Sequence, residues 1–280
     1  MTTRTTAEAE HRRAGVVGSP VDHSLSPVLH RAAYQALGLR GWTYERAEVR
    51  AGELTAYVST RSRDWVGLSV TMPGKEEALA LADEAGEEAE LVGAANTLLR
   101  TEGGWRAENT DVVGLETALR EAGAPIGVPA LVVGSGATAR SALVALGRLG
   151  ATEVTLQVRA RAREETLRLG SVLGMSLRVV TDGEGIGQEP RQGVLVSTVP
   201  PGGRTSALPD RDLSGVVALD VRYDPWPTAW ATGLAARGAH VVDGLTMLLH
   251  QAARQVELMT GRAAPLEQMR RALEHRGRDT

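Results

Sequence analysis

The chain of 280 residues has no cysteine and no phenylalanine, and it has a single lysine. Without cysteine there can be no disulfide, no thiolate metal site and no thiol nucleophile, which fits a reducing, cytoplasmic setting. Aromatic residues are scarce at 3%, as five Trp and four Tyr. Positive charge is not in excess either. A formal net charge of -3 leaves no electrostatic footprint for nucleic acid or another polyanion. No apolar run reaches the roughly 18 residues of a membrane span. The polar stretch from Met1 to Arg13 lacks the apolar centre of a signal peptide. The six His and the carboxylates show no metal-ligand spacing. The rest is ordinary for a globular protein, with 42% hydrophobic and 23% charged residues. The length allows one large domain or two smaller ones.

The scarcity of lysine singles out one position. Lys75 is the only lysine among 31 Lys and Arg residues. Guanidinium cannot release a proton near neutral pH, whereas a crowded or desolvated ammonium can. An isolated Lys is more often a surface accident than an acid or base. The setting shifts that balance. The β-branched, apolar run Trp65 to Thr71 leads into Met72-Pro73-Gly74, and a helical pattern starts at Lys75. Lys75 therefore stands just past the end of a buried strand, where α/β sheets carry their chemistry.

Upstream, Gly15 to Gly18 reads as a strand and the helix from Pro27 to Leu37 begins after the loop Val21 to Ser26. Ser26 has the ordinary alternative of being that helix's N-cap, which leaves Ser24 unexplained. Thr43 to Val49 reads as a strand, Glu53 to Thr60 as a helix and Glu76 to Ala85 as a helix. Gly93 to Asn96 leads into a strand through Arg100, and Gly103-Gly104 turns a hairpin back along Trp105 to Glu108. A helix from Val112 to Ala122 follows Asn109-Thr110-Asp111. Here again Asp111 has the alternative of an N-cap, and Asn96 that of a turn residue.

After Pro125 the texture becomes alternating strand and helix, with strands at 130–133, 153–158, 177–180, 194–197, 216–221 and 239–242. Such alternation means a doubly wound parallel sheet. Helices are expected over 162–173, 228–237 and 246–260. Gly134-Ser135-Gly136-Ala137 follows a strand and opens a helix, the context of a dinucleotide-binding turn. Thr138-Ala139 stands where the third glycine of that fingerprint would be. An NAD site places an acidic residue at the end of the next strand, roughly 20 residues on. This chain has Arg159, Arg161 and Arg163 there instead, which suits the 2′-phosphate of NADP.

In this order, His23 to Pro27, Val70 to Lys75, Gly93 to Thr97, Asn109 to Asp111, Gly134 to Ala137, Asp220 to Pro225, and Asp243-Gly244 with Gln251 resemble shikimate dehydrogenase over nearly the whole chain. The resemblance implies an α/β fold of two domains. Residues 1–110 with 246–280 would form a substrate-binding domain, and 111–245 a Rossmann-like NADP domain, with shikimate held in the cleft between. It implies Lys75 and Asp111 as the catalytic pair and Ser24 and Ser26 as the carboxylate-binding pair. Thr71, Asn96 and Gln251 would meet substrate hydroxyls and Tyr223 the region of the carboxylate. Gly134, Ser135, Gly136, Ala137, Arg159 and Gly244 would bind the cofactor. Two departures stand out. Ser69 occupies a position where many members carry Asn, and Val158-Arg159-Ala160 replaces Asn-Arg-Thr.

The expected reaction is reversible, NADPH-dependent reduction of 3-dehydroshikimate to shikimate by a cytoplasmic monomer or homodimer. The alternatives are a quinate or aminoshikimate dehydrogenase of the same superfamily, or a non-catalytic ligand-sensing homologue. An acid in place of Arg159 would point to quinate, and loss of Lys75 or Asp111 to the sensor.

Overall fold

The computed structural model describes residues 11–181, 193–200, 202–203, 208 and 210–275. Most of the polar N-terminal stretch, residues 1–10, lies outside them. Internal contacts divide the chain into two compact units. Unit 1 comprises Met1–Ala85, Asn96–Glu108 and Ala252–Thr280, and unit 2 comprises Gly86–Ala95 and Asn109–Gln251.

Unit 1 is a six-stranded mixed sheet with helices. In chain order its elements are β1 (Arg12–Gly18), α1 (Ser26–Ala36), β2 (Trp42–Glu48), α2 (Leu54–Ser59), β3 (Trp65–Val70), α3 (Lys75–Leu81) and the two-residue β4 (Glu84–Ala85). After α4 (Glu87–Val92), which belongs to unit 2, come β5 (Thr97–Arg100) and β6 (Trp105–Glu108). The sheet order is β2-β1-β3-β5-β6-β4. β1 pairs in parallel with β2 and β3, whereas β5 runs antiparallel to β3 and to β6. Ala14, Val16, Val21, Tyr34, Tyr44 and Met259 pack into one buried cluster of this unit.

Unit 2 is a doubly wound, Rossmann-like sheet. It contains α5 (Asp111–Glu121), β7 (Ala130–Val133), α6 (Ala137–Arg148), β8 (Glu153–Val158), α7 (Glu164–Val172), β9 (Ser176–Thr181), β10 (Val194–Ser197), β11 (Val217–Asp220), α8 (Ala229–Ala235) and β12 (His240–Val242). Two helices, α9 (Leu245–Thr260) and α10 (Leu266–His275), complete the described chain. All six strands are parallel in the order β12-β11-β10-β7-β8-β9. Both faces are buried. On β7, Ala130 and Val132 face one apolar cluster while Leu131 and Val133 face the other, as the two-residue pleat requires.

The strands read from the sequence lie within two or three residues of those observed, and 130–133, 153–158 and 194–197 match at both ends. The stretch after Lys75 differs. The helix expected to run to Ala85 stops at Leu81. Glu84–Ala85 joins the sheet beside β6, and a further helix, α4, forms over Glu87–Val92.

Candidate active site

In unit 1 the chain leaves β1 and β3 at the same edge of the sheet, because the two strands are parallel neighbours. The two exits are zipped together. The Thr71 N–H donates to the Val17 carbonyl at 2.9 Å, and the Ser19 N–H to the Met72 carbonyl at 2.9 Å. Gly18 makes this possible. A Cβ there would lie 2.7 Å from the Met72 carbonyl oxygen. β5 starts where β3 ends, and the Asn96 carbonyl accepts from the Val70 N–H at 2.7 Å. Ser24, Ser26, Thr71, Lys75 and Asn96 are thus all brought to one edge of this sheet, although up to 72 positions of chain separate them.

The capping alternatives do not hold. Ser26 is the first residue of α1, and Leu25 caps it with no side-chain bond. Asp111 is the first residue of α5, where Thr110 is the cap and makes no side-chain cap bond. The Ser24 hydroxyl accepts from the Ser26 N–H at 3.4 Å and donates to the Ser26 hydroxyl at 3.3 Å. Arg46 pins this loop by donating to the Ser24 carbonyl at 2.8 Å. Lys75 opens α3, with Glu76 and Glu77 in the same first turn. Glu77 is tied to α2, where it accepts the backbone N–H groups of Gly52 and Thr55, each at 3.1 Å.

Behind these residues lies a buried polar network that the sequence reading missed. Ser69 on β3 donates to Gln255 Oε1 at 2.6 Å and lies 2.6 Å from the Tyr44 hydroxyl. Ser69 therefore faces inward, toward α9. Gly67, two residues earlier on the same face, gives α9 room to approach, since a Cβ there would lie 2.8 Å from Met259. Gln255 Nε2 donates to the Asn96 carbonyl at 3.1 Å and to Thr97 Oγ1 at 2.8 Å. Thr97 in turn donates to Asn96 Oδ1 at 2.9 Å. His30 Nε2 lies 3.3 Å from Gln255 Oε1, and the His30 ring stacks on Tyr44 with centroids 4.0 Å apart. Burial pushes His30 down to about 3, against the Gln255 hydrogen bond. Burial raises the Tyr44 phenol, against the hydroxyls of Ser69 and Ser26. Tyr34, which reaches His30 Nδ1 at 3.4 Å, is raised by burial as well.

In unit 2, Gly134 to Ala137 forms the turn from β7 into α6. Gly134 has φ +113, a conformation reserved for glycine, and a Cβ there would meet the Thr198 hydroxyl. Gly136 differs. A Cβ there would meet nothing within 4 Å, so what glycine supplies is bare backbone at the N-terminus of a helix of 12 residues. That arrangement suits a phosphate group. Ser135 holds the turn to the next loop. Its carbonyl accepts from Thr166 Oγ1 at 2.7 Å and its hydroxyl from the Arg163 N–H at 3.3 Å. Arg159 follows the end of β8, the strand beside β7, and is exposed together with Arg161 and Arg163. The donor set fits a phosphorylated dinucleotide. The strand order reverses between β7 and β10, the point where such sheets take their ligands.

Asp220 ends β11 and pins the loop carrying Tyr223. Its carboxylate accepts from Thr228 Oγ1 at 2.7 Å and from the Arg222 N–H at 3.2 Å, and burial raises it. Gly244 lies against the same strand end, since a Cβ there would collide with the Val221 carbonyl oxygen. Asp111 is buried, and its N–H donates to Asn109 Oδ1 at 3.0 Å. Asn109 is anchored in turn by donating to the Ala94 carbonyl at 2.8 Å. Gly114, one turn past Asp111, permits close crossing by α9. A Cβ there would lie 3.0 Å from the Gln251 Cβ. Asp111 and Gln251 therefore stand on adjacent turns of packed helices. Gln251 donates to the Leu248 carbonyl at 2.9 Å. His250 lies 2.8 Å from Glu121, in an ion-pair position on the same helix pair. Among the described residues, no group of His, Asp and Glu is placed to hold a metal, and no helix is long and apolar enough to cross a membrane.

Comparison with known proteins gives a consistent result. Residues 16–98 match the model of the shikimate dehydrogenase substrate binding domain, and residues 244–274 that of the shikimate 5'-dehydrogenase C-terminal domain. The shikimate dehydrogenase (NADP(+)) of Methanopyrus kandleri is 35% identical over 289 residues, covering 98% of this chain and 99% of that protein. Among solved structures, Mycobacterium tuberculosis shikimate dehydrogenase is 44% identical with a TM-score of 0.80, covering 94% of this chain and 99% of that one. The Thermus thermophilus enzyme, in complex with NADP(H) and shikimate, is 31% identical with a TM-score of 0.79, covering 94% and 99%.

Proposed function

The chain belongs to the shikimate dehydrogenase family, and from that premise we propose that it catalyses the reversible NADPH-dependent reduction of 3-dehydroshikimate to shikimate. One observation carries this reading. The only lysine of an arginine-rich chain opens α3 at the same sheet edge as Ser24, Ser26, Thr71 and Asn96. We assign substrate binding to 1–110 with 246–280 and NADP binding to 111–245. The work would be done in the cytoplasm by a monomer or homodimer. The cysteine-free composition supports a reducing compartment.

In this reading NADPH supplies the hydride to the carbonyl carbon. The hydroxyls of Ser24 and Ser26 donate to the substrate carboxylate, with Tyr223 close to it. Thr71, Asn96 and Gln251 hold the ring hydroxyls and so fix which face of the ketone is presented. The Lys75 ammonium binds the carbonyl oxygen, stabilises the charge that develops there and gives up a proton to the alkoxide. Asp111 holds that ammonium and takes part in returning the proton. On the cofactor side, Gly134 to Ala137 bind the pyrophosphate, Arg159 the 2′-phosphate, and Gly244 a neighbouring part of the dinucleotide.

Oxidation of NADPH by 3-dehydroshikimate, beside NADH and quinate controls, is the direct test. A folded protein that leaves NADPH unchanged would retire the reading in favour of a ligand sensor. Faster turnover with quinate than with shikimate would move it to the quinate branch. The cofactor assignment has its own test. Arg159→Ala is expected to raise KM for NADPH about 10-fold or more, the loss of one charge-assisted contact, and to leave KM for NADH nearly unchanged. Equal effects on both would show that Arg159 does not read the 2′-phosphate.

A further inference from the structure

Two side-chain amides in the buried network of unit 1 have their orientations fixed by their partners. Gln255 faces the Asn96 carbonyl, which can only accept and also takes the Val70 N–H at 2.7 Å. The Gln255 atom on that side is therefore Nε2, which donates to this carbonyl at 3.1 Å and to Thr97 Oγ1 at 2.8 Å. On the other side Oε1 accepts the single Ser69 proton at 2.6 Å, with His30 Nε2 3.3 Å away. Thr97 Oγ1, having accepted from Gln255, turns its own proton to Asn96 at 2.9 Å, and the amide atom it meets is Oδ1. Thr97 is 0% exposed, so an Asn96 nitrogen in that place would strand a buried hydroxyl proton. Oδ1 of Asn96 thus faces Thr97, and its N–H groups lie on the other side of the amide.

We propose that Thr97, Gln255 and Ser69 are positioning residues that fix Asn96 as a hydrogen-bond donor to the substrate, and so set this subsite for a hydroxyl over an ammonium. The inference rests on the assignment of Asn96 to a ring hydroxyl. A hydroxyl has lone pairs and accepts an Asn96 N–H, whereas a protonated amine has only donors. An unrestrained asparagine discriminates little between the two, because it can turn its amide over and offer Oδ1 instead. Here that rotation breaks the Thr97 bond inside a site closed to water. The backbone of Asn96 is held as well. Its N–H donates to the Glu108 carbonyl at 3.1 Å, and its carbonyl takes two donors, so the side chain stands on a fixed base. Every one of these residues belongs to unit 1. Ser69 has its part at the far end. It occupies Gln255 Oε1, and the Tyr44 hydroxyl, 2.6 Å from Ser69, supplies a donor to Ser69 in turn. A serine suffices at position 69 because Gln255, not the substrate, takes its proton.

The test compares shikimate with analogues in which the C4 or the C5 hydroxyl, neither of which is oxidised, is replaced by hydrogen or by an amine. Each is assayed at saturating NADP with the parent, Asn96→Ala, Thr97→Val, Thr97→Ser and Gln255→Met. Asn96→Ala should raise KM for shikimate and be silent toward one deoxy analogue, which marks the carbon that Asn96 meets. At that carbon the parent should accept hydrogen more readily than the amine. Thr97→Val keeps the branched shape and removes the hydroxyl. It should raise KM for shikimate roughly 3- to 10-fold, change kcat far less and leave KM for the marked deoxy analogue at the parental value. It should also shift preference at that carbon toward the amine. Gln255→Met releases the Thr97 proton and should act in the same direction, which keeps the test alive if one variant folds poorly. Thr97→Ser should restore the parental pattern. If Asn96→Ala weakens shikimate but neither Thr97→Val nor Gln255→Met does, the positioning role is refuted and the Asn96 assignment stands. Equal losses for shikimate and the marked deoxy analogue would mean packing damage and would also refute it. An unchanged preference between hydroxyl and amine in Thr97→Val would refute the donor orientation. If Asn96→Ala binds shikimate as tightly as the parent, or weakens both deoxy analogues alike, the Asn96 assignment falls and the inference with it.

Discussion

Lys75→Arg is expected to lose nearly as much turnover as Lys75→Ala, with kcat for shikimate oxidation down by on the order of 10²–10⁴ in both. The two substitutions separate charge from proton transfer. Arginine keeps the cation but does not release a proton near neutral pH, whereas alanine loses both functions. If positive charge alone held the emerging alkoxide, arginine would restore much of what alanine loses. The position argues against a structural reason for the lysine. It opens a helix, where the macrodipole favours anions, and the same turn already carries Glu76 and Glu77. Nor does a need for bulk explain it in a chain that otherwise uses arginine for its long cations. Lys75→Met serves as the shape control, since it keeps much of the stem without the ammonium. KM for NADPH should stay close to parental in all three variants, because the cofactor turn at Gly134 to Ala137 belongs to the other unit. Asp111→Asn should follow Lys75 in losing kcat. Near-parental turnover of Lys75→Arg across neutral pH would remove the acid/base role and leave Lys75 as a simple charge.

How much of this was legible beforehand depends on what each residue packs against. β7 and β10 of unit 2 were readable to the residue because they are buried on both faces and so appear as nearly continuous apolar runs, ALVV and VLVS, whereas β8 was readable from the alternation of Val154, Leu156 and Val158 with Thr155 and Gln157. The stretch 82–92 was not. α4 spans six residues, three of them Glu, and buries only Ala89 and Val92, too short a stripe for helical periodicity to register. Ser24, Ser26, Lys75 and Asp111 stood out as candidates because they sit in short local motifs beside strand or helix ends. The N-cap alternatives for Ser26 and Asp111 were reasonable on propensity, and the backbone overrode them by starting each helix at that residue rather than after it. Tyr44, His30 and Gln255 carried no such local signal. His30 and Gln255 stand 225 residues apart, and each alone resembles a polar residue stranded in a core. Ser26, His30 and Tyr34 do fall at i, i+4 and i+8 on α1, one polar stripe on a buried face. That spacing was the available clue. It became informative only once β2 and α9 were known to pack on it.

The same stripe sets the second large effect, which is on stability rather than turnover. The protein is expected to lose stability on acidification more steeply than its His30→Phe variant, and the excess should begin near pH 6.5. In the unfolded chain His30 takes up a proton at about that pH. In the folded protein burial holds it neutral until about 3. Between those limits the unfolded state binds the extra proton, so stability falls as pH falls, by up to about 1.4 kcal/mol per pH unit. Above pH 6.5 both states are neutral and the contribution is fully present. Burial opposes placing a charge on this ring in the fold. His30 Nε2 faces Gln255 Oε1, and a second proton on Nδ1 would require the Tyr34 hydroxyl to turn from donor to acceptor around a charge in a site closed to water. Asp220 opposes this trend, since burial raises its pKa and acid therefore favours the fold there, but it is common to both proteins and cancels in the difference. The other five His cancel likewise. His30→Phe keeps an aromatic ring for Tyr44 to stack on, and Ser69 still satisfies Gln255 Oε1. It should be less stable than the parent at pH 7.5, because the Tyr34 hydroxyl loses its acceptor, and the gap should close as pH is lowered toward 4.5. Urea midpoints read from Trp42, Trp65 and Trp105, which belong to unit 1, measure this across the range. Parallel pH dependences in the two proteins would show that His30 is protonated in the fold as readily as outside it.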